Sequence, residues 1–147
     1  MPSIVRERQF KAPLASVYQA IIDFESYPKF LPEVVEAKVQ PNATSTVARV
    51  VFEIEVMKRF RYMLQFNMTP QSEVAWKLVE SNFFKTNEGV WRLSEAGPNL
   101  TQVKYELTVD FGFLVPGWAT KKLTETSLPK MFDSYEARAQ SLGAISR

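Results

Sequence analysis

Three tyrosines are the side chains of this sequence best suited to chemistry inside an apolar pocket. Tyr62, Tyr105 and Tyr135 fall on the apolar faces of predicted strands and of a predicted helix. The titratable group that each of them carries is a phenol. Its unperturbed pKa is about 10, so it is a weak base at neutral pH. These residues therefore suit ligand binding better than proton abstraction.

Neither cysteine nor histidine occurs in the sequence. Their absence removes thiol nucleophiles, thiolate metal sites and the commonest general base, so catalytic triads and zinc sites are excluded. The sequence also has no glycine-rich phosphate loop. We therefore expect no catalytic residue, no cofactor and no metal, and we favour a binding protein over an enzyme.

A few charged residues are placed where they could reach the interior. Arg6, Glu7 and Arg8 lie in a segment whose inward face the sequence does not define, and Arg138 is one position from an apolar helix face. Charged side chains are usually at the surface because burial without a partner is costly, so a surface role is favoured for each. If one enters the interior, it would orient a carbonyl or acid group of a ligand.

Composition predicts a globular protein with no DNA partner. The chain has 147 residues, 46% of them hydrophobic, which fits one domain over residues 1–147. The net charge of +2 is too small to indicate DNA binding. Charges near the N-terminus argue against a signal peptide, and the apolar runs are far shorter than the roughly 20 residues of a spanning helix. We expect a cytoplasmic protein.

The first part of the chain predicts a strand, a short helix and a compact corner. β-type residues among charges predict a strand over Ser3–Phe10, which Pro13 interrupts. Apolar residues at helical spacing predict an amphipathic helix from Leu14 to Ile22. Two prolines limit Asp23–Pro32 to a helical turn or two packed as an apolar corner.

Five later segments alternate apolar and polar residues, which is the period of a strand with one buried face. They are Ala48–Val56, Phe60–Met68, Val74–Leu78, Trp91–Leu93 and Val103–Phe111. Short connections, including turns predicted at Met57–Arg59 and Glu95–Asn99, indicate hairpins between neighbours. The sequence thus predicts an antiparallel meander of about six strands after the two short helices.

From about Pro116 the pattern becomes helical. Its apolar face consists of Thr124, Leu128, Met131, Tyr135, Ala139 and Leu142. Pro129 predicts a kink, or else a second helix that begins at Ser127. Only this long helix is available to cover the aromatic face of the sheet, so we predict an α+β fold whose curved sheet wraps around it. One helix leaves part of that face open, which predicts an apolar cavity.

The side chains expected to contact a ligand in this cavity are large and face inward. They are Phe52, Tyr62, Phe66, Trp76, Trp91, Tyr105, Leu128, Met131 and Tyr135. For each of them, ordinary core packing is the alternative interpretation.

Three groups of residues also point to a known family. They are Tyr27, Pro28, Phe30, Leu31 and Pro32 after the early helix; Leu78, Val79 and Glu80 followed by Phe84, Gly89 and Trp91; and Tyr135–Ala139 near the end. In this order they resemble the START-like polyketide cyclase/dehydrase superfamily, and within it most of all the coenzyme Q-binding proteins and their bacterial relatives. The resemblance covers nearly the whole chain. It departs from the family at Ser81–Phe84, where relatives tend to have a Gly-Pro turn, and at Pro129.

This resemblance implies a helix-grip fold with a hydrophobic tunnel for a lipid or a quinone, and no cofactor. Two irregular apolar segments are expected to gate the tunnel, namely Tyr27, Phe30 and Leu31 in the early corner and Phe113, Leu114 and Trp118 before the last helix. With Lys121 and Lys122 beside it, the second segment suits transient contact with the surface of the inner membrane. Alternatively, it is an ordinary loop over the core.

The leading functional hypothesis is a carrier or chaperone that binds a lipid or isoprenoid quinone and supports quinone function or respiration. A polyketide cyclase or dehydratase is the alternative from another class, and it needs an acid or base within reach of its substrate. The resemblance leaves a third hypothesis, a ribosome-associating interaction module, because some bacterial relatives are described as toxins that act on the large ribosomal subunit.

Overall fold

The computed structural model describes residues 3–56, 58–82, 84–110 and 117–145. Most of its strands follow one another in the chain without a helix between them. The elements are β1 (Ser3–Phe10), α1 (Leu14–Ile22), a 3₁₀ helix (Phe24–Lys29), β2 (Val34–Val39), β3 (Val47–Val56), β4 (Lys58–Thr69), β5 (Glu73–Ser81), β6 (Thr86–Gly97), β7 (Leu100–Asp110) and α2 (Gly117–Ile145).

The strands form one curved antiparallel sheet in the order β1-β7-β6-β5-β4-β3-β2. From β2 to β7 each strand pairs with the next one in the chain, as the hairpin prediction requires. The exception is β1, which pairs with β7 so that Ser3 lies opposite Thr108 and Phe10 opposite Thr101. The helix-grip prediction is confirmed, with the sheet wrapped on a long C-terminal helix.

Alternation along the strands determines which side chains form the core. Even-numbered residues of β3, β4 and β5 face inward, and so do odd-numbered residues of β6 and β7. The inward residues that are buried include Val50, Phe52, Leu64, Phe66, Val74, Trp76, Trp91, Leu93, Val103 and Tyr105. With Leu128, Phe132, Tyr135 and Ala139 of α2 they form one hydrophobic cluster. The inward residues of the sheet and of α2 therefore share one apolar interior.

The last helix is continuous from Gly117 to Ile145, so no second helix begins at Ser127. Proline removes one helical hydrogen bond and crowds the carbonyl four residues earlier. Pro129 is exposed, as is Glu125, so this carbonyl is on the solvent side of α2. Further along, a Cβ on Gly143 would lie 3.2 Å from the Oγ of Ser16. The absence of a side chain there lets α2 pack closely against the start of α1.

Three details of the sequence-based assignment were wrong or incomplete. The edge strand β2 was not located, although the count of about six strands after the helices is correct. Lys58 and Arg59 belong to β4 and pair with β3, so the predicted turn at Met57–Arg59 is too long. Likewise β6 extends to Gly97, which leaves a shorter turn than Glu95–Asn99. In both hairpins the strand pairing continues into residues whose side chains had suggested a turn.

A small ionic network fixes the middle of α2 to the first strand. The Arg8 guanidinium donates to Asp133 Oδ1 at 2.6 Å and to Glu136 Oε1 at 2.7 Å. The other carboxylate oxygen of Glu136 accepts the backbone N–H of Lys11 at 2.7 Å. The Gln140 amide donates to the Lys11 carbonyl at 3.1 Å. Glu136 therefore joins β1, the turn after it and α2.

Replacing Glu136 with Ala should destabilise the fold by about 2 kcal/mol, because the Lys11 backbone N–H loses its charged acceptor and the Arg8 guanidinium loses one of two. The matched control is Asp133→Ala, which removes a carboxylate that is 67% exposed and should cost less than about 1 kcal/mol. Urea unfolding followed by circular dichroism measures both. Equal losses for the two variants would show that the ion pair, not the backbone contact, holds α2.

Candidate ligand-binding site

Aromatic rings from the sheet and from α2 meet at the centre of the interior. Trp91 of β6 contacts Tyr105 of β7 with ring centroids 4.6 Å apart, and Tyr135 of α2 at 5.0 Å. Phe132 packs edge-on against Tyr105 at 5.5 Å. Edge-on and offset arrangements of this kind are the favourable ones for aromatic pairs. These rings hold α2 on the sheet.

A second group of rings extends this wall toward β3 and β4. Tyr27 of the 3₁₀ helix stacks on Phe52 at 5.9 Å, and Phe52 stacks on Tyr62 at 5.4 Å. Phe66 contacts Phe52 at 6.1 Å and Trp76 at 6.3 Å. Tyr27 also meets Tyr135 edge-on at 5.6 Å, which connects the two groups. All six aromatic residues predicted to contact a ligand from the sheet therefore belong to one continuous aromatic wall.

The residues predicted on the last helix have different degrees of burial. Leu128 and Tyr135 are buried in the core, whereas Met131 is only partly buried and packs at its margin. Met131 is followed by Phe132, which is buried and contacts three rings of the core. The centre of the apolar face of α2 therefore lies nearer to Phe132 than to Met131.

Four phenols reach this interior from four different elements. Tyr27, Tyr62, Tyr105 and Tyr135 come from the 3₁₀ helix, β4, β7 and α2. Burial is the main cause that raises the pKa of each above its ordinary value, and neighbouring phenols add to the effect at Tyr27, Tyr105 and Tyr135. The hydroxyl of Tyr27 donates to the Ile21 carbonyl at 2.5 Å. All four are neutral at physiological pH and retain their O–H donors.

Of the two predicted gate segments, the structure describes the side chains of only the first, which contains Tyr27, Phe30 and Leu31. Tyr27 and Leu31 are buried and Phe30 is half-buried, with Phe30 packed edge-on against Tyr135 at 5.4 Å. Phe113 and Leu114 lie outside the described residues, as does the side chain of Trp118. The gate therefore stays a prediction.

The sheet register places the start of β2 and the end of β7 at the same end of the molecule. The Glu55 N–H donates to the Glu33 carbonyl at 2.8 Å, next to the start of β2. Across the sheet, the Lys85 N–H donates to the Asp110 carbonyl at 2.7 Å, at the end of β7. Because β3 ends and β6 begins at this same end, the chain enters β2 and leaves β7 there.

The charged residues singled out in the sequence remain at the margin of the interior. Arg8 binds the carboxylates of α2, and Arg6 is exposed. Arg138 lies over the ring of Phe30, with its guanidinium carbon 5.7 Å from the centroid. Its nearest carboxylate oxygen, on Asp23, is 3.9 Å away, and its Nε is buried without a hydrogen-bond partner among the described residues.

Two clefts are formed by described residues, and Trp76 is the one member of the aromatic wall that lines either of them. A cleft of about 470 Å³ is lined mainly by outward-facing residues, including Val5, Ala75 and Val90. Another of about 310 Å³ lies at the connection between β2 and β3, beside Pro41 and Val47. The internal cavity between sheet and helix stays a prediction.

Two functional candidates were not recognised in the sequence, Asn87 and the role of Gly89. Asn87 is buried and accepts a hydrogen bond from the indole N–H of Trp76 at 3.0 Å. A Cβ on Gly89 would lie 2.6 Å from the same indole ring. Extending the alternation of Trp91 backwards by two and four residues would have placed both on the inward face.

Sequence comparison identifies the family of this fold and site. Residues 10–135 match the family described as "Polyketide cyclase / dehydrase and lipid transport", so the chain belongs to it. No curated protein matches the sequence. No helix in the described ranges is long and apolar enough to cross a membrane.

Solved structures share the fold at low sequence identity. A START superfamily protein from Mycobacterium smegmatis has a TM-score of 0.83 and 19% identity, over 95% of this chain and 98% of its own. A protein from Thermus thermophilus has a TM-score of 0.80 and 22% identity, over 96% and 99%. The Zhui aromatase/cyclase from a Streptomyces species has a TM-score of 0.79 and 14% identity, over 94% and 93%. The family description, together with this fold, suggests hydrophobic ligand binding or a cyclase-type activity.

The buried phenols predict a loss of stability in alkali. Burial raises the pKa of all five tyrosines, Tyr18 included, so the unfolded chain releases their protons first. The free energy of unfolding should hold up to about pH 10 and then fall, by up to about 1.4 kcal/mol per pH unit for each tyrosine.

Urea midpoints measured across this range test the prediction, and Tyr105→Phe should make the decline shallower by the contribution of one group. Ultraviolet titration of the folded protein should show phenolate only at higher pH than in urea. Equal titration midpoints in the two states would contradict the burial of the phenols.

Proposed function

We propose that this protein binds a hydrophobic small molecule that carries oxygen atoms, and that it acts as a carrier. The observation that supports this is the convergence of Tyr27, Tyr62, Tyr105 and Tyr135 within an aromatic interior. The hydroxyls of Tyr27 and Tyr135 are already hydrogen-bonded within the protein. Rings provide apolar surface for stacking, while the phenols of Tyr62 and Tyr105 can provide an O–H for a ligand oxygen. A ligand with only hydrocarbon groups would leave these donors unused.

Binding fits these phenols better than proton transfer does. A general base works best when its pKa is near the operating pH, whereas burial moves the pKa of the tyrosines in the opposite direction. A neutral phenol can still act as a hydrogen-bond donor to a carbonyl. For this reason a cyclase, which the family description also includes, is the second candidate, with the phenols polarising a substrate carbonyl.

Within the carrier hypothesis, an isoprenoid quinone is the ligand class we favour. A quinone ring is flat, stacks on aromatic side chains and has two carbonyl oxygens that accept hydrogen bonds. Its tail is a hydrocarbon that would occupy the apolar part of the interior, including Leu128. The residue pattern that resembles coenzyme Q-binding proteins supports the same class. The cellular role would then be a chaperone for quinone function or respiration.

Transfer of such a ligand at the surface of the inner membrane would avoid its passage through water. The position of the chain entering β2 and leaving β7 at one end of the sheet supports a common opening there. Apolar groups from a separating gate could enter the lipid, and Lys121 and Lys122 could contact anionic headgroups.

The direct test is native mass spectrometry of the purified protein, with organic extraction to identify the bound molecule. We expect an apolar compound with carbonyl or hydroxyl oxygens, released intact. Tyr105→Phe should lower the retained fraction several-fold, since one buried hydrogen bond is worth about 1 kcal/mol. Tyr18→Phe is the matched control, because Tyr18 is on α1, outside the aromatic wall.

Either of two results would contradict the carrier hypothesis. One is a protein that stays empty after expression and takes up no added naphthoquinone. The other is turnover, in which an added poly-β-ketone substrate is recovered as a cyclised aromatic product. The second result would establish the cyclase candidate instead.

The gate makes a separate prediction about rates. Replacing Phe113, Leu114 and Trp118 with Ser should slow ligand exchange with vesicles several-fold, because the apolar groups that enter the lipid are lost. The urea midpoint should change little. Replacing Val5, Val47 and Val79 with Ser is the control, since these valines are exposed on the sheet. Unchanged exchange in the first variant would exclude this loop as the gate.

A further inference from the structure

Asn87 is a polar residue on the inward face of an apolar sheet. It lies on β6 opposite Val109 of β7, two and four residues before Gly89 and Trp91, which face the same side. Only 8% of its surface is exposed. Burying an amide among apolar side chains is costly unless its hydrogen bonds are made, so a specific role is expected at this position.

Trp76 fixes the orientation of the Asn87 side chain. The indole Nε1–H donates to Asn87 Oδ1 at 3.0 Å, and both side chains are buried. An indole N–H can only donate, so its partner must be the oxygen of the amide and not the nitrogen. The Nδ2 group, with two N–H donors, therefore points away from the indole.

Gly89 makes this arrangement possible. A Cβ at this position would lie 2.6 and 2.9 Å from two carbons of the Trp76 ring and 2.2 Å from the Glu106 carbonyl oxygen. No side chain fits within those distances, so the indole crosses β6 directly over the glycine. Its Nε1 thereby reaches Asn87, which is the inward-facing residue before Gly89 on β6.

Within the described part of the chain, the bond from the Trp76 indole is the hydrogen bond that the Asn87 side chain makes. Nδ2 is not among the fully enclosed atoms that lack a partner, so it keeps some access to a bound molecule. An oxygen atom of a ligand in the interior could accept a hydrogen bond from Nδ2. The site lies about 13 Å along β6 from Trp91, toward the end of the sheet where β7 ends. A ligand in the aromatic interior would extend past it.

We propose that Asn87 is a specificity-determining residue whose amide N–H groups bind a carbonyl oxygen of the ligand, with Trp76 and Gly89 as positioning residues. This inference rests on the proposed binding of a hydrophobic molecule in the interior. A neutral amide suits a ketone, ester or quinone oxygen, because a carboxylate would bring an unpaired charge into apolar surroundings. Asn87 therefore selects oxygenated ligands over hydrocarbons of the same shape.

Two probes of matched shape test the selection, 2-methyl-1,4-naphthoquinone and 2-methylnaphthalene, which has no carbonyl group. Isothermal titration calorimetry with the full chain measures both affinities. Asn87→Leu should weaken the quinone about fivefold to tenfold and leave the hydrocarbon unchanged or tighter. Asn67→Leu is the matched control, because Asn67 is exposed on the opposite face of the sheet and should change neither affinity.

Asn87→Leu leaves the Trp76 N–H unpaired. The double variant Trp76→Phe with Asn87→Leu removes that N–H as well, and so provides a second test in which neither polar group of the pair remains. It should fold and show the same selective loss. If the variants weaken both probes equally, or neither, Asn87 has only a structural role and the inference is wrong. If the unmodified protein binds neither probe, the proposed function itself fails.

Discussion

The structure depends on a single requirement, which is that the aromatic inner face of a seven-stranded sheet must be kept from water. One long helix covers most of that face, and the 3₁₀ helix covers the part toward β3 and β4. Trp91 and Tyr105 on the sheet meet Phe132 and Tyr135 on α2, and these contacts place the helix. Apolar burial of this kind supplies most of the driving force for folding. The Glu136 network then fixes how far along β1 the helix lies.

Much of the fold could be predicted because side-chain alternation is strong in β3, β4 and β7. By contrast β2 was missed, although Val35–Val39 alternates apolar and polar residues. The alternation covers only five residues, and the pairing shifts register between Val34 and Glu36. This strand is an edge strand, so fewer of its side chains are buried. The face of α2 was predicted well, except that Phe132 was overlooked beside Met131. Two adjacent apolar residues cannot both be central to one helical stripe, and the sequence does not say which one is.

The candidate site was predictable in its composition but not in its geometry. Each of Tyr62, Tyr105 and Tyr135 was identified from the periodicity of its own element. Their convergence with Tyr27 depends on how the sheet curves and where the 3₁₀ helix packs, which are long-range properties. Asn87 was missed for a related reason. A polar residue is normally expected to be exposed, and the sequence does not show the hydrogen bond with Trp76 that explains the burial of Asn87.

The pairing of β1 with β7 has a consequence for how the chain folds during synthesis. Ser3 and Thr108 are 105 residues apart, so the first strand made has no partner until nearly the last one is complete. At roughly 5–20 residues per second, translation alone imposes a delay of about 5–20 s. During that time the hairpins from β2 to β6 can form from local contacts, while their aromatic face awaits a helix not yet synthesised. Contacts so distant in sequence make folding slow, and the nascent chain is most exposed to aggregation in this interval.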